Sequence, residues 1–331
     1  MPASENDPCE VCGNPSGNRL VHAREMMFGH RDEFRYTECG HCGCLRLIDV
    51  PTDWSRYYPA EYYPATASES SSGLKSWLGR KRAEYSLRRE GIVGKLLVWR
   101  YGEPRCQIFG GPKYYDWLRA CRVDFTTKIA DVGCGSAILL RRMRADGFTD
   151  LTGIDPFAPE TVRSEPGLRI QRTDVFGVRE RFGLIMLHHT FEHLGNPLGV
   201  LRHLHSLLEP GGHLLIRIPV ASSHAYRHYG RDWAQLDAPR HLFLHTEKSM
   251  SRLAQDAGLE LTSVVHDSTE FQFWASEQYR RDIPLKSPES YAVNRATALF
   301  SPATIEEFRQ RAEELNARAE GDSACFYLRK S

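Results

Sequence analysis

Asp131-Val132-Gly133-Cys134-Gly135-Ser136-Ala137 is the stretch on which the fold turns. It closes an apolar run at 128–132 and leads into a helical pattern, so it reads as a strand, a glycine turn and a helix. Glycine at 133 and 135 lets the backbone approach a ligand with no Cβ in the way. Two nucleotide sites built on such a turn can be tested by spacing. The dinucleotide fingerprint needs Gly or Ala at its last position for close helix–strand packing. Counted from Gly133, that position is Ile138, which is bulky and branched. The Lys-Ser or Lys-Thr ending of a phosphate-binding loop is also missing. The turn therefore serves a different ligand.

Outward from this turn, strand-length apolar runs recur at 128–132, 151–154, 168–171, 183–187, 213–218, 260–266 and 324–328. Helical patterns lie between most of them. In the clearest, Leu198, Leu201, Leu204, Leu207 and Leu208 precede the stop signal Pro210-Gly211-Gly212. A second helix is expected at 249–257. This alternation predicts an α/β fold, a mostly parallel sheet with helices on both faces. The sheet domain spans 105–331, with an excursion at about 268–322 before the last strand. A connector at 52–104 precedes it, with Tyr57, Tyr58, Tyr62 and Tyr63, a Ser-rich hinge at 68–73 and a helix over 74–100.

Residues 1–51 form the third part. Cys9-Glu10-Val11-Cys12-Gly13 and Cys39-Gly40-His41-Cys42-Gly43 are two knuckles separated by 26 residues. Two sulfurs two residues apart can face one ion from a tight turn, and four thiolates make a closed tetrahedral zinc site. Cys9, Cys12, Cys39 and Cys42 are therefore the expected ligands of a structural zinc. It would fold a small zinc-ribbon-like domain with short strands at Phe28–Tyr36 and Leu45–Ile48. The chain opens without a basic-then-apolar leader, and no apolar run approaches the ~20 residues of a membrane span. The expected setting is cytoplasmic, where thiols stay reduced. With 43 basic and 42 acidic residues, the net charge of +1 argues against a nucleic-acid partner. The basic run at 80–89 reads as a solvated helix face.

Three further motifs follow the glycine turn: Gly153-Ile154-Asp155-Pro156, Arg172-Thr173-Asp174-Val175, and the segment from Phe182 through His188-His189-Thr190-Phe191-Glu192-His193. In this order the motifs resemble class I S-adenosylmethionine-dependent methyltransferases over about residues 110–265. The resemblance implies a Rossmann-like methyltransferase sheet whose antiparallel last strand, here 324–328, lies beside the fifth. It implies S-adenosyl-L-methionine as cofactor. Asp131, Gly133 and Gly135 would cradle the methionine part, and Asp155 would accept from the ribose. Asp174 and Val175 would meet the adenine, with His189 in a loop near the cofactor. Cys134 is a small filler.

Methyl transfer from a sulfonium is mostly a positioning problem, and a hydroxyl acceptor must also lose a proton. His193 and His241 are the candidate bases, because both follow strands at the carboxyl edge of the sheet. The four-cysteine module, the tyrosine-rich connector and Arg240-His241-Leu242-Phe243-Leu244 together resemble the zinc-containing sugar methyltransferases. That resemblance carries His193 and His241 over as active-site histidines and Tyr62 or Tyr63 as an aromatic substrate contact. Arg240 stands where the C-methylating members have Glu, and Ala238 where they have Tyr. O-methylation of a sugar, nucleotide sugar or other small acceptor is thus expected ahead of sugar C-methylation, with Arg240 either binding a phosphate or carboxylate on the substrate or making a structural ion pair. Two rival readings remain. In one, His189, Glu192, His193 and His241 hold a catalytic cation, resembling small-RNA 2′-O-methyltransferases. In the other, the chain is a non-catalytic zinc-scaffolded binding protein. The excursion, with Phe271, Phe273, Trp274, Tyr279, Arg280 and Arg281, fits either an acceptor pocket or a homodimer contact.

Overall fold

A computed structural model describes residues 7–59, 73–104, 114–160, 162–296 and 299–331. The chain begins with β1 (Arg19–Arg24), β2 (Glu33–Glu38) and β3 (Leu45–Leu47). Helices α1 (Leu74–Arg88), α2 (Ile92–Tyr101) and α3 (Tyr114–Ala120) follow. The helix expected over 74–100 is thus two. Arg89 takes a left-handed conformation at the end of α1, and Gly91 at φ 97° starts α2.

The main sheet starts with β4 (Ile129–Val132), then α4 (Ile138–Asp146), β5 (Leu151–Ile154), β6 (Leu168–Gln171) and β7 (Phe182–His188). The chain continues through α5 (Pro197–Leu207), β8 (Leu208–Pro219), α6 (His224–Tyr229) and β9 (Phe243–Leu244), of which β9 lies outside the main sheet. It closes with α7 (Glu247–Asp256), β10 (Leu259–His266), α8 (Phe271–Arg280), α9 (Pro302–Ala317) and β11 (Ser323–Lys330). The order across the seven-stranded sheet is β10-β11-β8-β7-β4-β5-β6. Strands β6, β5, β4, β7 and β8 pair in parallel, and β11 runs antiparallel between β8 and β10. The last strand therefore lies beside the fifth, as the resemblance implied.

Every residue of β4 and β5 is buried, which a parallel sheet covered on both faces requires. One face packs Val200, Leu201, Leu204 and Leu207 of α5 with Met250 and Leu253 of α7. The other packs α3 and α4 through Tyr115, Leu118, Leu140 and Met143. Helix α5 opens with Asn196 accepting from the Gly199 amide and Pro197 in the first turn. Leu208 does not extend it but begins β8. Helix α7 starts at Glu247, set by a capping box of Thr246 and Ser249.

The N-terminal strands do not complete their sheet alone. Strand β9 joins them in the order β1-β2-β3-β9, with Leu45 opposite Leu244 and Arg46 opposite Phe243. The strand expected at Phe28–Tyr36 begins later, at Glu33, because Glu25 turns residues 28–30 into a loop by accepting from the Phe28 and His30 amides, each at 2.9 Å. The excursion packs here as well. Phe273 of α8 and Ala312 and Leu315 of α9 share a core with Tyr36, Leu45 and Trp233. The Leu285 and Lys286 amides donate to the Met26 and Met27 carbonyls, each at 2.9 Å.

Candidate active site

Parallel strands bring their carboxyl ends to one edge, where loops can meet around a ligand. The turn after β4 places Gly133 at φ 78° and Gly135 at φ 50°, conformations that suit glycine. A Cβ at Gly133 would run into the Thr190 side chain, so the turn lies against the loop that follows β7. Asp155, at the tip of β5, is buried, and its Oδ2 accepts from the Gly135 amide at 2.9 Å. Its Oδ1 accepts from Phe157 N at 2.7 Å. Lone pairs remain on both oxygens for a diol. Asp131 is buried close by, and burial together with the Asp155 charge pushes its carboxyl up to about 8. A carboxyl held near its neutral form suits a site that awaits a cation. Asp174 is exposed and caps a short 3₁₀ turn through Gly177 N, with Val175 buried beside it. These residues line one edge and fit the polar groups of a nucleoside amino acid.

The loop after β7 carries the histidines. His189 is held at φ 50°, in the left-handed region that non-glycine residues seldom occupy. Its Nδ1 is 3.4 Å from Glu192 Oε1, and its other nitrogen contacts Arg217 of β8. The ring therefore bridges the cofactor edge and the next group along. There, Phe191–His193 form a 3₁₀ turn that buries Glu192 completely. His193 Nδ1 lies 2.8 Å from the Arg240 carbonyl and 3.2 Å from the Tyr58 hydroxyl. His241 Nδ1 lies 2.8 Å from the Gln235 carbonyl. A carbonyl can only accept, so each Nδ1 carries a proton, and in the neutral form of such a ring Nε2 is the atom with the lone pair. The two rings meet edge to face, with centroids 4.8 Å apart.

Carboxylates surround the pair. His241 Nε2 is 3.9 Å from Glu192 Oε1 and 3.8 Å from Asp237 Oδ2. Burial lowers the His241 imidazole to about 4, with a further push from His193 and partial opposition from Asp237 and Glu192. The ring is neutral at pH 7. Burial alone would raise Glu192, but the histidines around it outweigh that and hold it at about 2. A neutral imidazole flanked by two carboxylates can take a proton, because the imidazolium it becomes is compensated.

Arg240 corrects an expectation. It does not face a substrate, because its guanidinium is buried and already engaged. Nε and Nη2 clamp Asp237 at 3.0 and 2.7 Å, and Nη2 also reaches Glu25 Oε1 at 3.1 Å. The Phe28 ring covers it, 5.4 Å away. Tyr36 of β2 donates to the His241 carbonyl at 2.9 Å. Both sides of the histidine pair are thus fastened to the N-terminal strands and their flanks. Glu25, Tyr36, Tyr58 and Asp237 were not among the expected site residues. Asp237 and Arg240 are three apart and could have been paired by spacing. Glu25 lies 215 positions from Arg240, and no local signal links them. Tyr62 and Tyr63 fall outside the described residues.

In the N-terminal module, Cys9 and Cys42 sulfurs stand 3.7 Å apart and Cys12 and Cys39 sulfurs 3.6 Å apart. Zn–S bonds of ~2.3 Å at tetrahedral angles put sulfurs ~3.8 Å apart, so the cluster fits the ion. Gly13 and Gly43, both at φ 71°, close matching turns onto the Cys9 and Cys39 carbonyls. The second knuckle is tied to α7, because Thr246 Oγ1 and Lys248 Nζ donate to the Cys42 and His41 carbonyls, each at 2.6 Å. Glu192, His193 and His241 also place one donor atom each within 4.8 Å of one another.

Residues 111–264 match the family model described as a methyltransferase domain. The ubiquinone biosynthesis O-methyltransferase of Pseudomonas syringae pv. tomato is 31% identical over 96 residues, covering 26% of this chain and 41% of that protein. The same-named protein of Vibrio parahaemolyticus is 34% identical over 101 residues, covering 27% and 43%. The chain thus spans about two fifths of the length of these relatives. An S-adenosylmethionine-dependent methyltransferase structure from Mesorhizobium loti is 17% identical, with 67% of this chain and 100% of that one covered and a TM-score of 0.43. Family match and strand order agree on a Rossmann-like methyltransferase sheet, mostly parallel, over this stretch of the chain.

Proposed function

We propose that the protein transfers a methyl group from S-adenosyl-L-methionine to a hydroxyl of a small acceptor such as a sugar, nucleotide sugar or natural product. The observation that carries this reading is the His193–His241 pair, with both Nδ1 atoms on backbone carbonyls and both Nε2 atoms left as bases. The cofactor, when bound, supplies a methyl activated by its sulfonium. Asp131, Gly133 and Gly135 hold its methionine part, Asp155 its ribose, and Asp174 and Val175 its adenine. His241 Nε2 removes the acceptor's hydroxyl proton as the oxygen attacks, and Glu192 and Asp237 stabilise the resulting imidazolium. His193 orients the acceptor beside it. Zinc on Cys9, Cys12, Cys39 and Cys42 has no open position and supports the strands that carry Tyr36 and the segment before Glu25.

His241→Ala tests the reading. Turnover should fall ~10²–10⁴-fold, the range for loss of a general base, with cofactor affinity unchanged by calorimetry. A wild-type rate would remove His241 from the chemistry. Isotopically labelled cofactor incubated with a metabolite pool should mark the acceptor by mass spectrometry. A mark on carbon would favour sugar C-methylation instead.

The grouping of Glu192, His193 and His241 supports a second reading. These three would hold a divalent cation, which lowers the pKa of a bound hydroxyl. RNA 2′-hydroxyls are then possible acceptors. Metal content separates the two readings. One zinc per chain with activity that survives mild chelation supports the histidine base; a second, labile metal required for turnover supports the cation.

A further inference from the structure

Helices α1 and α2 form a hairpin whose inner side is accounted for. Ala83, Ser86 and Leu87 of α1 are buried, and Gly94 of α2 sits against the Lys81 carbonyl and the Tyr85 side chain. The outer side is not. Among the described residues, thirteen large hydrophobic side chains are exposed, and seven belong to this hairpin. Trp99 is 84% exposed, Ile92 80%, Leu74 71% and Leu96 59%. In α2 only Gly94 is buried. A helix this apolar and this bare has a partner that replaces water.

Charge identifies the partner. Residues 73–102 contain eight Lys and Arg against Glu84 and Glu90, a surplus of six. The whole chain carries +1, so the remainder is at −5. Lys81, Arg88 and Arg89 are paired with Glu84, Asp124 and Glu103, while Lys75, Arg80, Lys95 and Arg100 are in no ion pair among the described residues and stand beside the bare apolar residues. Trp77, Trp99 and Tyr101 are the aromatic types that settle at a headgroup boundary. A second copy of this chain is a poor fit, because a two-fold contact would press the patch onto itself and set like charges face to face. The hairpin is too short and too charged to cross a bilayer. We infer that the α1–α2 hairpin docks on an anionic lipid surface, lying in the interface with Trp99, Ile92 and Leu96 inserted. The basic run, expected as a solvated helix face, would then meet lipid headgroups when the hairpin is docked.

The test uses the full chain without cofactor or acceptor, so its failure is independent of the proposed reaction. Vesicles of phosphatidylcholine alone are compared with vesicles containing about a third phosphatidylserine. Co-sedimentation should favour the anionic vesicles about tenfold or more. Binding should weaken as salt rises from about 0.1 to about 1 M, which cuts the Debye length from ~10 to ~3 Å. The double variant Leu96→Ser/Trp99→Ser should lose about tenfold in partitioning with Tm and zinc content unchanged, since both side chains are exposed. Lys95→Glu/Arg100→Glu should lose the preference for phosphatidylserine. Equal binding to neutral vesicles, no binding to either, or unchanged binding by the Leu96/Trp99 variant would overturn the inference. So would a concentration-dependent dimer, seen by light scattering, that the same variant abolishes and that vesicles do not dissociate.

Discussion

The four sulfurs of the N-terminal module and the histidine–carboxylate group above β7 are built in opposite ways. Each knuckle is made by one tight turn, and two turns complete the set. The histidine group draws Glu192 and His193 from one loop, Asp237 and His241 from another, and Tyr58 from the connector. The sulfur cluster is closed on itself, with its four sulfurs supplied by those two turns. The histidine group rests its two Nδ1 atoms on carbonyls of distant segments, so its geometry depends on what lies behind it. That backing is largely the N-terminal module, through Tyr36 on the His241 carbonyl and Glu25 on Arg240. The comparison teaches that the four-cysteine module's work reaches as far as the orientation of the candidate base.

Four substitutions sharpen or break this comparison. The largest effect is expected from Cys39→Ser, because a three-sulfur site should lose its zinc and with it much of the folding free energy of β1–β3. Zinc per chain and Tm should both drop, and turnover should drop with them through Tyr36 and Glu25. Unchanged zinc and Tm would refute the site. Next, Glu25→Ala removes one of two carboxylates from a fully buried guanidinium and orphans two loop amides. A cost of about 3 kcal/mol by urea unfolding is expected, at the lower end for breaking a buried pair because Asp237 remains. If the module positions His241, kcat should fall more than cofactor affinity.

Asp131→Asn is read through pH. The Asp131 carboxyl rises from 3.8 to about 8 on folding, so the native state holds a proton that the unfolded chain releases. That contribution is complete below about 4 and is lost as pH climbs to about 8. Wild-type Tm should therefore fall across this window relative to Asp131→Asn, and parallel curves would contradict the assignment. The smallest effect belongs to Tyr58→Phe, which deletes one hydroxyl near His193. About 0.5–1.5 kcal/mol is expected, seen as a rate change of tenfold or less. A hundredfold loss would instead place Tyr58 in the chemistry.

The sequence disclosed whatever its neighbours dictate. Strand-length apolar runs marked all seven strands of the main sheet, most cleanly at β4, β5 and β7, which are parallel and buried and so apolar nearly throughout. The knuckles were legible because their ligands lie two residues apart. The glycine turn and Asp155 were legible because each sits at the tip of a strand. The break between α1 and α2 was missed, since Arg89 is not a residue that announces a left-handed turn. Strand β1 was missed because its outward side chains Arg19, Leu20, His22 and Arg24 blur the alternation. Arg240 was misread for a deeper reason. Its neighbours in space, Glu25 and Phe28, lie more than two hundred positions away, so nothing local tells a buried clamp from an exposed anion receptor. The same distance hid the role of the excursion, whose α8 and α9 complete the core beneath β1–β3.

The pairing of β3 with β9 sets a limit on engineering. Cutting the chain at residue 105 to obtain a minimal catalytic fragment would strip Phe243 and Leu244 of their only ladder neighbour among the described strands and leave an apolar edge open to other chains. The fragment should be sticky and disordered around His241 even with its Rossmann-like sheet intact. Swapping the cysteine module between homologues would meet the same obstacle unless the two-residue strand travelled with it.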